Sequence, residues 1–158
     1  MSTDAHAEVT LRPASDADER LLDELFATTR GAELAGLPVE MRASFVAMQR
    51  MAQERAWSAT FPALERSIVV VDGSDAGRLY VDHGRDVTVV DLTLLPSVRG
   101  RGVGTRLLTE LQDAAAGGGA NVMLSVEPDN PAQRLYQRLG FVAHGGDALR
   151  IVMRWPGN

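Results

Sequence analysis

Apolar and polar positions along the chain change period several times, and each change marks an element. Residues 8–12 (Glu8, Val9, Thr10, Leu11, Arg12) alternate strictly, which predicts a first strand. Pro13, Ala14, Ser15 and Asp16 supply a turn and a helix N-cap ahead of Leu21, Leu22, Leu25 and Phe26 at helical spacing. Residues 31–38 read as a loop. A second helix is expected from about 39 to 57, with Phe45, Met48 and Ala52 near helical spacing, polar Gln49 and Gln53 beside them, and Pro62 closing it. Ser67, Ile68, Val69, Val70 and Val71 form a buried-strand pattern, 72–75 a hairpin turn into 77–81, and 83–86 a second turn into 87–95, which together predict an antiparallel meander. A helix then carries Val103, Leu107 and Leu111 on one face and stops at Gly117, Gly118 and Gly119. The rest reads as a strand at 121–126, a short helix holding Tyr136, a strand at 141–144, a turn at 145–147 and a last strand at 149–153. This order suits an α/β (α+β layered) fold, with a mixed, mostly antiparallel sheet of about seven strands flanked by helices. No repeat, low-complexity segment or linker divides it, so a single domain over 1–158 is expected.

The most specific stretch is the passage from the meander into the long helix: Leu92, Thr93, Leu94, Leu95, Pro96, Ser97, Val98, Arg99, Gly100, Arg101, Gly102, Val103, Gly104 and Thr105. Glycines at 100, 102 and 104 keep side chains out of the turn. Successive N–H groups can then converge where the unpaired amides and positive dipole end of the next helix already point. The matching ligand is an anion, above all a pyrophosphate. Two rival phosphate motifs fail on these residues. A nucleoside-triphosphate loop ends Gly-Lys-Ser/Thr, and Thr105 follows Gly104 directly; a dinucleotide fingerprint needs glycine where Leu107 stands. What remains, Arg99-x-x-Gly102-x-Gly104, resembles the central motif of the GNAT superfamily of acyl-CoA-dependent N-acetyltransferases, Gln/Arg-x-x-Gly-x-Gly/Ala, at the start of a helix that follows a strand.

A second motif lies some way downstream. Asn130 is a good N-cap, Pro131 suits a first helical position and Gly140 the residue just past the end, so the helix around Tyr136 is punctuated at both ends. This segment resembles the second GNAT signature, Asn-x-x-Ala-x-x-Leu-Tyr-x-x-x-Gly-Phe, at Asn130, Leu135, Tyr136, Gly140 and Phe141. It departs from it in that Ala132 follows Asn130 by two residues. The two motifs stand in the family's order, and the predicted elements resemble its fold over nearly the whole chain.

The resemblance implies acetyl-CoA as acyl donor. Main-chain groups of Leu94 and Leu95 would meet the pantetheine arm. Amides between Arg99 and Thr105, that is of Gly100, Arg101, Gly102, Val103 and Gly104, would hold the pyrophosphate, and the guanidinium groups of Arg99 or Arg101 can add charge-assisted contacts. Those arginines also suit a solvated helix start. Asn130 carries the family's contact to the CoA arm, alongside its N-cap role. Tyr136 resembles the family's candidate acid for the leaving thiolate, and a phenol, titrating near ~10, is a protonated donor at neutral pH. It also suits plain packing with its hydroxyl at the rim. For the base, some relatives use a glutamate where Ser125 stands, and serine cannot serve. Glu127 would share that face if the strand persisted. Asp91, a carboxylate inside an apolar strand, is the other candidate, and it equally suits a hydrogen-bond acceptor at a bulge. Acceptor-side candidates are Phe26, Arg30, Glu33, Met48, Gln49, Gln53, Trp57, Tyr80 and His144, of which the apolar ones read first as core and the glutamines as a solvated face.

Composition trims the alternatives. The 158-residue chain has no cysteine, which removes disulfides, thiolate metal sites and a cysteine acyl-enzyme. Its net charge is −5 and all 16 Lys+Arg residues are arginine; an acidic chain argues against nucleic acid and mildly for a cationic partner. His83 and His144 fall beside predicted turns without a second ligand at metal spacing, so no metal is expected. Residues 1–4 lack a basic and apolar leader and no apolar run is long enough to span a membrane, so a cytoplasmic protein without membrane insertion is expected. The expected activity is direct transfer of an acetyl group to a primary amine in a ternary complex. A small-molecule amine is the first acceptor, a protein or peptide N-terminus or lysine the alternative. From other classes, an acyl-CoA-binding sensor and a plain interaction domain remain open, as do a monomer and a homodimer.

Overall fold

The computed structural model describes residues 6–157; residues 1–4, read above for a leader, lie outside that range. Strands β1 (Val9–Pro13), β2 (Leu64–Val71), β3 (Ser74–His83), β4 (Val87–Leu94), β5 (Val122–Val126), β6 (Val142–Gly146) and β7 (Ile151–Trp155) make one sheet in the order β1-β2-β3-β4-β5-β7-β6. Helices α1 (Glu19–Thr28), α2 (Gly31–Ala35), α3 (Val39–Thr60), α4 (Val103–Gly117) and α5 (Gln133–Arg138) flank it. The expected loop over 31–38 therefore contains a short helix: Ala32, Glu33, Leu34 and Ala35 are good helix formers, and Gly36 closes them. The last hairpin also runs two residues late, because Asp147 Oδ1 accepts the N–H groups of Leu149 and Arg150 and lengthens the turn.

One irregularity shapes the functional side of the sheet. β3 and β4 pair in antiparallel register, but Tyr80 faces Asp91 while Val81 faces Val89, so Val90 is an extra residue and β4 bulges there. β4 pairs in parallel with β5 only at Val87–Val122, Thr88–Met123 and Val89–Leu124, that is, only before the bulge. Past it, β4 stays with β3 through Leu94, and β5 stays with β7 through Val126. A bulge bends its strand and sharpens the twist, so the two halves of the sheet part and leave a wedge.

Both faces are covered. On one, Val103, Leu107, Leu108 and Ala115 of α4 pack on Val69, Leu79, Val81, Val89, Val122 and Leu124 in the main core. On the other, Leu22 and Leu25 of α1 meet Ile68. Adjacent Ile68 and Val69 serve opposite cores, as the alternation of strand side chains requires.

Helix α3 corrects the expectation drawn from its apolar residues. Met48 is 62% exposed and Ala52 is exposed, whereas Val46 and Arg50 are buried. The reason lies across from the helix. β2, β3 and β4 present Arg66, Arg78, Tyr80 and Asp91, and α3 turns Gln53, Glu54 and Trp57 toward them. Gln53, read as part of a solvated face, accepts from Arg78 Nη2 at 3.4 Å.

The 3-10 turn Asp16–Asp18 that leads into α1 is held by charge and a capping box. Ser15 Oγ accepts from the Ala17 N–H, the Ser15 N–H donates to Asp18 Oδ2 at 2.8 Å, and both Asp18 oxygens accept from Arg12 at 3.0 and 2.7 Å. The Arg12 hydrogen bond, which outweighs the opposing effect of burial, holds the Asp18 carboxyl below its ordinary range. A depressed carboxyl stabilises the fold fully above its unfolded pKa of ~3.9, and the contribution disappears as pH falls through the lower folded value. Denaturant titrations from pH 6 down to pH ~2 are thus expected to show a stability loss that is smaller in Asp18→Asn than in the parent.

Among the described residues, no helix is long and apolar enough to cross a membrane, and no group of three or more His, Cys, Asp or Glu side chains is placed to hold a metal ion.

Candidate functional site

The wedge opens at the end of β4, where the chain turns into α4. Gly100 and Gly102 adopt φ of +73° and +77°, the left-handed region in which a side chain is strained, and Gly102 is the α4 N-cap. The Arg106 N–H donates to the Gly102 carbonyl at 3.0 Å, which closes the first helical turn. Ahead of it, the N–H groups of Gly100, Arg101, Gly102, Val103, Gly104 and Thr105 donate to no protein acceptor among the described residues. These bare donors lie at the positive, N-terminal end of the α4 dipole, an arrangement that suits an anion. A Cβ built on Gly104 would lie 3.6 Å from Leu135 Cδ2, so α5 packs close to the cradle without filling it.

The two arginines of the turn are already engaged. Arg99 Nε donates to the Leu94 carbonyl at 3.0 Å and its Nη2 to Thr28 Oγ1 at 3.3 Å, tying the turn to the end of β4 and to α1. Arg101 Nη2 donates to Asp72 Oδ2 at 2.9 Å, in the β2–β3 turn. The Leu95 N–H donates to the Ala76 carbonyl at 2.8 Å.

On the far side of the wedge, Asn130 Oδ1 accepts the Ala132 N–H at 2.9 Å within the turn that precedes α5; the N-cap itself is Ala132, without a side-chain cap, so Asn130 does not cap the helix as expected. Pro131 precedes that helix rather than opening it, since α5 begins at Gln133. Gly140, at φ +92°, ends it, and the Phe141 N–H returns to the Tyr136 carbonyl at 3.0 Å. That return sets the Phe141 ring edge-on to Tyr136, with centroids 6.0 Å apart. Tyr136 is partly buried against the main core, and its phenol is pushed above its ordinary range, first by burial and then by the negative charge of Asp91.

Asp91 lies just past the bulge, on the part of β4 that β5 has left. Its Oδ2 accepts from Arg78 Nε at 2.6 Å and from Thr93 Oγ1 at 2.9 Å, while its Oδ1 accepts from nothing among the described residues. One oxygen is thus fixed and the other is open. Glu127, the alternative carboxylate, stands one residue past β5 and is exposed, so the alternation that would carry it onto the Ser125 face has already ended. Its carbonyl accepts the Asn130 N–H at 3.1 Å, which makes it part of a turn.

Arg78, Glu54 and Thr93 were not singled out by sequence reasoning. The one available signal was a second charge, Arg78, inside an apolar strand that the meander places beside that of Asp91. Of the acceptor-side candidates, Phe26 is buried in the interior with Arg30 over its ring at 5.1 Å, Trp57 and Tyr80 pack edge-on at 5.6 Å, and Met48, Gln49 and His144 are exposed.

The Acetyltransferase (GNAT) family model matches residues 45–141, from α3 through both glycine-marked turns to Phe141. Among solved structures, the chain is similar to the PaiA N-acetyltransferase from Thermoplasma acidophilum in complex with coenzyme A, at 17% identity over 94% of this chain and 99% of that one, with a TM-score of 0.68. It is also similar to RimJ of Mycobacterium smegmatis in complex with CoA-disulfide, at 18% identity over 94% of this chain and 81% of that one, TM-score 0.62. A third likeness, to nourseothricin acetyltransferase, has 29% identity over 61% of this chain and 67% of that one, TM-score 0.52. The first two likenesses speak to the fold. No curated protein matches the sequence.

Proposed function

This chain belongs to the GNAT acetyltransferase family, and on that premise we propose that it transfers an acetyl group from acetyl-CoA directly to a primary amine, within one domain spanning 1–158. The observation that carries this reading is the run of unpaired N–H groups at residues 100–105, beside a wedge in the sheet. Those donors and the space left at Gly104 fit a diphosphate, with the pantetheine arm running along Leu94 and Leu95 and Asn130 on its other side. Arg99 and Arg101 would have to leave the Leu94 carbonyl and Asp72 to reach the phosphates.

The chemistry needs three groups. An alkylammonium, with a reference pKa near ~10, must lose a proton before its lone pair can attack. Asp91 Oδ1 accepts that proton; Asp91 is favoured over Glu127 because its charge reaches the Tyr136 phenol and its free oxygen faces no protein donor. The amine nitrogen then bonds to the thioester carbonyl carbon, and a main-chain N–H on the strand from Leu92 to Leu95 stabilises the oxyanion. As the tetrahedral centre collapses, the carbon–sulfur bond breaks, and the nitrogen gives its second proton to water and becomes a neutral amide. The thiolate is met by the Tyr136 hydroxyl, whose proton it takes and which water replaces. The chain has no cysteine for a covalent relay, so attack is direct.

The acceptor is a small-molecule amine in this reading, a choice supported by the likeness to nourseothricin acetyltransferase; a peptide or protein amine is the alternative. The test is acetyl-CoA titration followed by thiol release against a panel of amines, amino acids and peptides. Release with a small amine supports the reading, and release with peptides alone moves it to the alternative. Binding with no release from any acceptor leaves an acyl-CoA sensor, and no binding at all refutes the reading.

A further inference from the structure

Arg78 heads the largest fully buried side chains among the described residues, and it keeps a charge in the interior. The guanidinium carbon lies 5.3 Å from the Trp57 ring centroid and 5.2 Å from that of Tyr80, in the corner that these two edge-on rings make with each other. Its Nε reaches Asp91 and its Nη2 reaches Gln53. Its Nη1 is enclosed and donates to nothing among the described residues; Glu54 Oε1 is 3.9 Å away and already accepts from the Tyr80 hydroxyl. A fold needs no such pair: apolar residues of similar volume at both 78 and 91 would pack here without ions to desolvate or a stranded donor. Departures of this kind from the local rules concentrate where function requires them.

We propose that Arg78 is a positioning residue for the acetyl transfer: packed against Trp57 and Tyr80, it fixes one oxygen of Asp91, together with Thr93, and so aims the other oxygen at the incoming amine. The inference rests on the reading of Asp91 as the base. Its physical content is orientation. A carboxylate on a strand rotates about two bonds, and two donors on Oδ2, Arg78 from β3 at 2.6 Å and Thr93 from β4 at 2.9 Å, remove that freedom. The planar fork explains the choice of arginine. A lysine reaches Asp91 with a rotating ammonium and has no second, fixed nitrogen to hold Gln53 at the same time.

A double-mutant cycle tests it, with kcat, KM for the amine and Kd for acetyl-CoA measured on Arg78→Lys, Asp91→Asn and the double variant. If Arg78 acts through Asp91, Arg78→Lys lowers kcat about tenfold in the parent but less than about twofold in the Asp91→Asn background, and the acetyl-CoA Kd stays within about twofold throughout. Equal losses in both backgrounds would overturn the proposal, since that is what a packing role produces, and leave the base reading standing. Normal turnover by Asp91→Asn refutes the base reading itself, a different result. Should Arg78→Lys fail to fold, Thr93→Val removes only the second donor to the same oxygen. The prediction for it is about a threefold loss of kcat in the parent and none in Asp91→Asn, and additive losses would again overturn the proposal.

Discussion

Tyr136→Phe is expected to lower amine-dependent turnover at least about a hundredfold while the acetyl-CoA dissociation constant stays within about twofold. The substitution removes one oxygen and keeps the ring, so the edge-on contact with Phe141 and the return bond from the Phe141 N–H to the Tyr136 carbonyl survive. What is lost is the only donor proposed for the departing sulfur. The effect should fall on kcat, because the thiolate exists only once the carbon–sulfur bond is breaking. The pH profile gives an independent check. Burial and the Asp91 charge raise the phenol pKa, so the protonated donor persists through neutral pH and is lost only as pH rises through a value above ~10. A tyrosine-dependent fall in kcat near neutrality would contradict this assignment.

The second large effect is expected at Gly104, the second residue of α4. Gly104→Asp should weaken acetyl-CoA binding about a hundredfold or more, through a carboxylate placed beside two phosphates. The fold should not suffer. The new Cβ meets only Leu135 Cδ2 at 3.6 Å, ordinary contact, and aspartate in the first turn of a helix interacts favourably with the dipole. The melting temperature should therefore hold or rise while binding disappears. Gly104→Asn isolates the charge: it has nearly the same shape, and the affinity difference between the two variants measures the negative charge alone. Equal binding by both would mean that the diphosphate lies elsewhere.

The glycine turn and the helix around Tyr136 were legible because their signals are local. Positive φ at Gly100, Gly102 and Gly140 favours glycine whatever surrounds it, and Gly140 marks the end of α5, whereas its start falls three residues past Asn130. The inward face of α3 was not legible. Its orientation is decided by Arg66, Arg78 and Tyr80 on strands that follow it in sequence, and only their assembly shows that Glu54 and Gln53 face the sheet while Met48 faces solvent. Asp91 could be singled out as a charge in an apolar strand. Its partner, 13 residues earlier, depended on the β3–β4 register, which the bulge at Val90 shifts. The position of Glu127 turned on whether β5 continued past Val126, and Pro128 and the turn to Asn130 stop it.

The central claim concerns main-chain hydrogens, and amide NMR reads them directly. In a 15N-labelled sample titrated with acetyl-CoA, the resonances of Gly100, Arg101, Gly102, Val103, Gly104 and Thr105 should shift downfield together, with one dissociation constant, and their exchange with solvent should slow. Saturable binding that leaves those amides unmoved would contradict the cradle, and with it the site built around it.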